Sequence, residues 1–163
     1  MGIRFSADEV FEIAIQIETD GAEFYRKAAS LQSEPDNKKF LDGLSKMEEQ
    51  HKKTFQEMHD SFSGGMREQL VFDPDNLEIL YLQAIASSHG GEGSPSVAQS
   101  LTGDESMEDI IRIALDLENK SILYYVGVRE IVKAPHEKDK IDTIIGEERK
   151  HVAQLTKVLN ETI

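Results

Sequence analysis

Two stretches one hundred positions apart, Glu48-Glu49-Gln50-His51 and Glu147-Glu148-Arg149-Lys150-His151, carry the same Glu-x-x-His spacing, and the chain around them repeats in register without a gap. Ser106 aligns with Ser6, Ala114 with Ala14, Glu118 with Glu18, Tyr125 with Tyr25, Pro135 with Pro35, Glu148 with Glu48 and His151 with His51. Elsewhere only the character is kept, as in Phe24 against Tyr124, Leu44 against Ile144 and Phe55 against Leu155. A chain with such a period is two copies of one supersecondary unit.

Each unit reads as a helical hairpin. Apolar or small residues recur at Val10, Ala14, Ile17, Gly21, Phe24, Tyr25 and Ala28, a period near 3.6, and Ser6 with Glu9 forms a capping-box pattern ahead of them. Pro35 suits the first turn of the next helix, whose inner stripe is Phe40, Leu44, Met47, His51, Phe55 and Met58. The repeat carries both helices into the second half. The expectation is an all-α, four-helix bundle with helices at about 6 to 31, 36 to 61, 106 to 133 and 137 to 160.

Residues 62 to 105 form the crossover, long enough to join two parallel neighbours, which a short loop cannot do. Gly64-Gly65 breaks the preceding helix and Asp73-Pro74-Asp75 reads as a turn. Leu77 to Ser88 reads as a short helix with Leu77, Leu80, Tyr81, Ala84 and Ile85 as its stripe. HGGEGSPSVAQS reads as a flexible loop with His89 at the surface. Leu70, Val71 and Phe72 are a candidate contact for self-association. No separate domain is indicated, so the expectation is one domain over 1 to 163.

On a helix, a step of three residues turns the chain about 300° and climbs about 4.5 Å, so Glu48 and His51, and Glu148 and His151, share a face. The register selects Glu148 over Glu147 as the partner of His151, because position 47 is Met. Glu18 and Glu118 recur on the preceding helices, where Ala14 and Gly21 would leave room beside Glu18. A lone Glu is ordinarily a solvated flank and a lone His on an apolar stripe is ordinarily a core residue. Recurrence at matching places argues otherwise, since most surrounding charges do not match. Tyr25 and Tyr125, seven residues after each lone Glu, are placed either to pack or to donate hydrogen bonds that orient carboxylates.

Burying four carboxylates and two imidazoles is prohibitive without compensation, and two divalent cations would balance the charge. Each ion would take one terminal Glu and one His, with Glu48 and Glu148 bridging. Oxygen and nitrogen ligands suit iron or manganese, with zinc able to bind. The absence of cysteine removes disulfides, iron-sulfur clusters and thiolate zinc sites. A net charge of -13 argues against nucleic acid and anionic membrane as partners. With no apolar run of about 20 residues, and no apolar core in the opening MGIRFSADEV, a soluble, cytoplasmic protein is expected.

The paired pattern, AIQIETDGAEFY and ALDLENKSILYY each followed by a Glu-x-x-His helix, resembles the ferritin-like di-iron carboxylate proteins, and within them the rubrerythrin-like group. The resemblance covers about 6 to 60 and 106 to 160. It implies a ferritin-like four-helix bundle around two iron ions with Glu18, Glu48, His51, Glu118, Glu148 and His151 as ligands. It also implies peroxide or oxygen as the oxidant and self-association as a homodimer or larger homo-oligomer. Full rubrerythrins carry a cysteine-bound rubredoxin-like domain, so electrons would come here from an external donor. Their third helix also offers a further Glu where this chain has Ser121, and the remaining set is closer to the ferroxidase centre of bacterioferritins. Three readings follow. They are a di-iron oxidoreductase that reduces peroxide or oxygen, a ferroxidase or iron-binding protein without peroxidase turnover, and a structural metal-binding or docking bundle.

Overall fold

The computed structural model describes residues 7–61, 74–75, 77–88 and 96–162. Six helices lie among them: α1 (Ala7–Ser30), α2 (Pro35–Ser61), α3 (Leu77–Ser88), α4 (Val97–Ser100), α5 (Met107–Ile131) and α6 (Pro135–Thr162). Pro35 and Pro135 open their helices because the first helical position needs no N–H and favours the fixed φ of proline. Helix α5 stops two residues short of its expected end. Val132 is already extended (φ −76°, ψ 126°), and the residue before Pro135 is biased away from helix. Ser6 lies outside the described residues, but Ser106 caps α5. Its hydroxyl accepts from the Asp109 N–H at 3.1 Å, while the Asp109 carboxylate accepts from the Ser106 N–H at 2.9 Å.

Helices α1 and α2 pack as one antiparallel hairpin and α5 and α6 as another. The start of α1, the end of α2, the end of α5 and the start of α6 share one apolar cluster, built on Phe11, Phe55, Met58, Tyr124 and Ile141. The opposite ends share a second, built on Phe24, Leu41, Ile111, Leu155 and Leu159. Helices α2 and α5 therefore run parallel, and the connection between them traverses the bundle. Between the clusters the buried side chains are polar, and the site sits there.

Two expectations for the crossover need correction. Within HGGEGSPSVAQS, residues Val97–Ser100 form a helical turn rather than loop, held by a capping box between Ser96 and Gln99. The Lys27 ammonium ties it to α1 by donating to the carbonyls of Ala98 (2.8 Å) and Leu101 (3.0 Å). In α3 the fully buried residue is Leu82, which the expected stripe omitted, while Leu77 and Leu80 are 66% and 60% exposed. Helix α3 is apolar on nearly every side, so periodicity could not select a face. Gly127 of α5 did, because a Cβ there would stand 2.7 Å from Leu82 Cδ2 and 2.9 Å from Tyr81 Cδ1. Gly64, Gly65, Leu70, Val71, Phe72, Asp73 and His89 lie outside the described residues. Among the described residues no helix is long and apolar enough to cross a membrane.

Candidate metal centre

Glu18 comes from α1, Glu48 and His51 from α2, Glu118 from α5, and Glu148 and His151 from α6; none is more than 4% exposed. Their ligand atoms fall into two overlapping sets, Glu18, Glu48, His51 and Glu148, and Glu48, Glu118, Glu148 and His151, each with all its atoms within 4.8 Å of one another. Glu48 and Glu148 belong to both sets. Glu148 lies between the imidazoles, its Oε1 2.9 Å from His51 Nδ1 and its Oε2 2.9 Å from His151 Nδ1. His51 Nδ1 is 3.6 Å from Glu18, and His151 Nδ1 is 3.3 Å from Glu48 and 3.4 Å from Glu118. The two rings stack with centroids 5.8 Å apart.

Space for this cluster comes from small residues. A Cβ on Gly21 would stand 3.2 Å from Glu48 Oε2, so the glycine beside Glu18 makes room for the carboxylate on the facing helix. The tyrosines donate across the bundle rather than within a hairpin: Tyr25 to Glu118, and Tyr125 to Glu18. The spacing had placed each tyrosine on its own Glu's face, and the pairing is instead with the other hairpin's Glu.

Three comparisons with known proteins bear on this geometry. A Thermotoga maritima structure, described as a ferritin-like diiron-carboxylate protein, superposes with a TM-score of 0.73 over 100% of both chains, at 19% identity. The rubrerythrin family model matches residues 5–68, which include the whole first hairpin. The chain therefore shares the fold of that ferritin-like protein, and the family model's match is confined to the chain's first part. No curated protein matches it.

In this ferritin-like bundle the donor atoms themselves test whether a metal fits. Glu18 Oε2, Glu48 Oε1, His51 Nδ1, both oxygens of Glu148 and His151 Nδ1 are buried without a hydrogen-bond partner. The close Glu148 approaches to the imidazoles lack hydrogen-bond alignment, so they do not satisfy these atoms. Buried polar atoms ordinarily find partners, and six orphans converging on one volume fit a donor set for cations. Hard oxygen and imidazole donors with two shared carboxylates suit a dinuclear site.

The electrostatics describe the same demand. Burial, reinforced by the charges of Glu48 and Glu148, holds Glu18 and Glu118 well above the usual carboxylate range. Burial pushes His51 down, but the carboxylates of Glu148 and Glu18 outweigh it and hold the imidazole at about 11. His151 is held at about 12 against the same burial penalty by Glu118, Glu148 and Glu48. Burial pushes Glu148 up, yet the two imidazoles pull it well below its ordinary value. Without cations, protons must neutralise the cluster; with them, the acids ionise and the imidazoles turn neutral.

One site residue escaped the sequence reading. Glu147, set aside in favour of Glu148, reaches across to α2, where its Oε2 lies 2.8 Å from His51 Nε2. The only trace in the sequence was a second acid beside the motif, and adjacent helical residues ordinarily point to different surroundings. Ser121, standing where rubrerythrins offer a further Glu, is buried and donates its hydroxyl to the Leu117 carbonyl at 3.0 Å.

Proposed function

We propose that the chain holds two iron ions between its hairpins and acts as a di-iron oxidoreductase, reducing hydrogen peroxide or oxygen with electrons from an external donor. The observation that carries this reading is the convergence of six unpartnered donor atoms in two sets sharing Glu48 and Glu148. Glu18 with His51, and Glu118 with His151, would be the terminal ligands, and Glu48 and Glu148 the bridging ones. Bound iron would supply the Lewis acidity and the electron transfer that side chains lack. The protein's share is positioning. Tyr25 and Tyr125 fix the terminal carboxylates while holding a proton at each phenol oxygen, and burial of both tyrosines keeps those phenols protonated. The apolar clusters at either end keep water from the centre along the bundle axis.

The occupant of position 121 favours a second reading, ferroxidase action with iron binding and no peroxidase turnover. Ser121 adds no carboxylate, its hydroxyl being committed to its own helix. The chain also has no cysteine with which to bind a rubredoxin-type iron.

Anaerobic loading with Fe(II), followed by optical monitoring as peroxide or oxygen is added, tests both. Two irons per chain, oxidised faster by peroxide and turned over with an electron donor, is the expected result. Faster oxidation by oxygen with Fe(III) retained would select ferroxidase action. Little bound iron, or a Glu48→Gln chain that binds and oxidises iron like the parent, would overturn the di-iron reading.

A further inference from the structure

The hundred-residue repeat makes the two metal positions look equivalent, but their surroundings differ. His51 presents Nδ1 to the cluster and Nε2 to Glu147 of the opposite hairpin, at 2.8 Å. The repeat counterpart of Glu147 is Met47, which has neither charge nor a strong acceptor. His151 makes no ion pair through Nε2 among the described residues, and its contacts with carboxylates all run through Nδ1. It lines a surface cleft of about 520 Å³ between α2 and α6, together with Met47, Glu147, Lys150 and Gln154. One imidazole is thus backed by a carboxylate, and the other, itself nearly buried at the wall of the cleft, is not.

We infer that Glu147 is a positioning residue that makes the His51 metal position the tighter of two unequal sites, leaving the His151 position as the more readily exchanged one. The inference rests on the dinuclear reading above. A carboxylate on the far nitrogen of a ligating histidine fixes its tautomer and ring orientation and raises its basicity, and losing such a partner typically weakens metal binding about 10–100-fold. Glu147 can serve without being part of the core, since its side chain is 32% exposed. Met47 offers His151 no such support, so the two affinities should separate by about the same 10–100-fold factor.

The test is anaerobic calorimetric and optical titration of the full metal-free chain with Co(II), a redox-silent probe whose visible bands report coordination. The parent should take two ions in two resolved steps. Glu147→Ala should weaken the first step about 10–100-fold and merge it with the second. Glu147→Gln, which keeps an acceptor oxygen, should retain most of the separation. Met47→Glu should tighten the second step. The metal-free Glu147→Ala chain should melt somewhat lower than the parent, because the buried Nε2 of His51 loses its partner, so its affinity is read on the folded chain. If it does not fold, Met47→Glu and Glu147→Gln carry the decision. Two ions bound in one unresolved step, an unchanged separation in Glu147→Ala, or an unchanged second step in Met47→Glu would overturn the inference while leaving the dinuclear centre standing. A parent chain that takes fewer than two ions would overturn both.

Discussion

The phenol of Tyr25 on α1 donates to the carboxylate of Glu118 on α5, 93 positions away, and Tyr125 returns the same bond to Glu18. The two hairpins are therefore laced together at the cluster itself, the tyrosine of each holding a carboxylate of the other.

Removing one of these hydroxyls should disturb the metal and the fold together. Tyr25→Phe leaves a buried oxygen of Glu118 without its donor, which should cost about 1–3 kcal/mol in the metal-free chain by denaturant unfolding. Metal affinity, read in the same Co(II) titration, should fall as well. Tyr124→Phe is the control. Its hydroxyl donates to the Val10 carbonyl at 2.8 Å, buried but away from the cluster, so stability should drop by a similar amount with metal affinity unchanged. Equal metal affinity in both variants would mean that Tyr25 serves packing alone.

Gly21→Ala should trade binding for stability. Replacing a mid-helix glycine by alanine favours the helix by up to about 1 kcal/mol. The new Cβ, however, would stand 3.2 Å from Glu48 Oε2 and displace that carboxylate by a few tenths of an ångström. The metal-free chain should melt higher, and metal affinity should fall on the order of tenfold, the scale of an outer-shell disturbance. A variant that gained stability and kept its affinity would show that Glu48 has slack.

The metal-free chain should lose stability as pH rises from 6.5 to 9. His51 ordinarily titrates at 6.5 and is held at about 11 in the folded state, so its contribution is complete below 6.5 and is lost as pH climbs toward 11. His151, held at about 12, acts with the same sign over the same window. Glu18 and Glu118, both raised, contribute in that sense from their ordinary value of 4.5 upward. Glu148, being lowered, contributes stability above 4.5 that is lost only as pH falls. The loaded protein should be nearly flat over 6.5 to 9, because cations replace the protons, and metal affinity should rise with pH. Melting curves of both forms across this range provide the check, and a flat profile for the metal-free chain would contradict the protonated cluster.

The helices and the six clustered residues were legible in the sequence because both are local or periodic properties. Amphipathic spacing set four long helices to within about two residues, and the register between halves separated Glu18, Glu48, His51, Glu118, Glu148 and His151 from the surrounding charges. Tertiary structure decided whatever depends on how one hairpin is rotated against the other. Sequence placed Tyr25 on the face of Glu18, and packing gave it to Glu118. Sequence discarded Glu147 because the repeat has methionine there, and the crossing of α6 over α2 carried it to His51. The face of α3 was likewise hidden, since a helix apolar on nearly every side carries no phase until Gly127 opens a slot for Leu82. Period and spacing record what a helix does with its own residues; which neighbour each side chain meets depends on interhelical geometry, and no single segment encodes it.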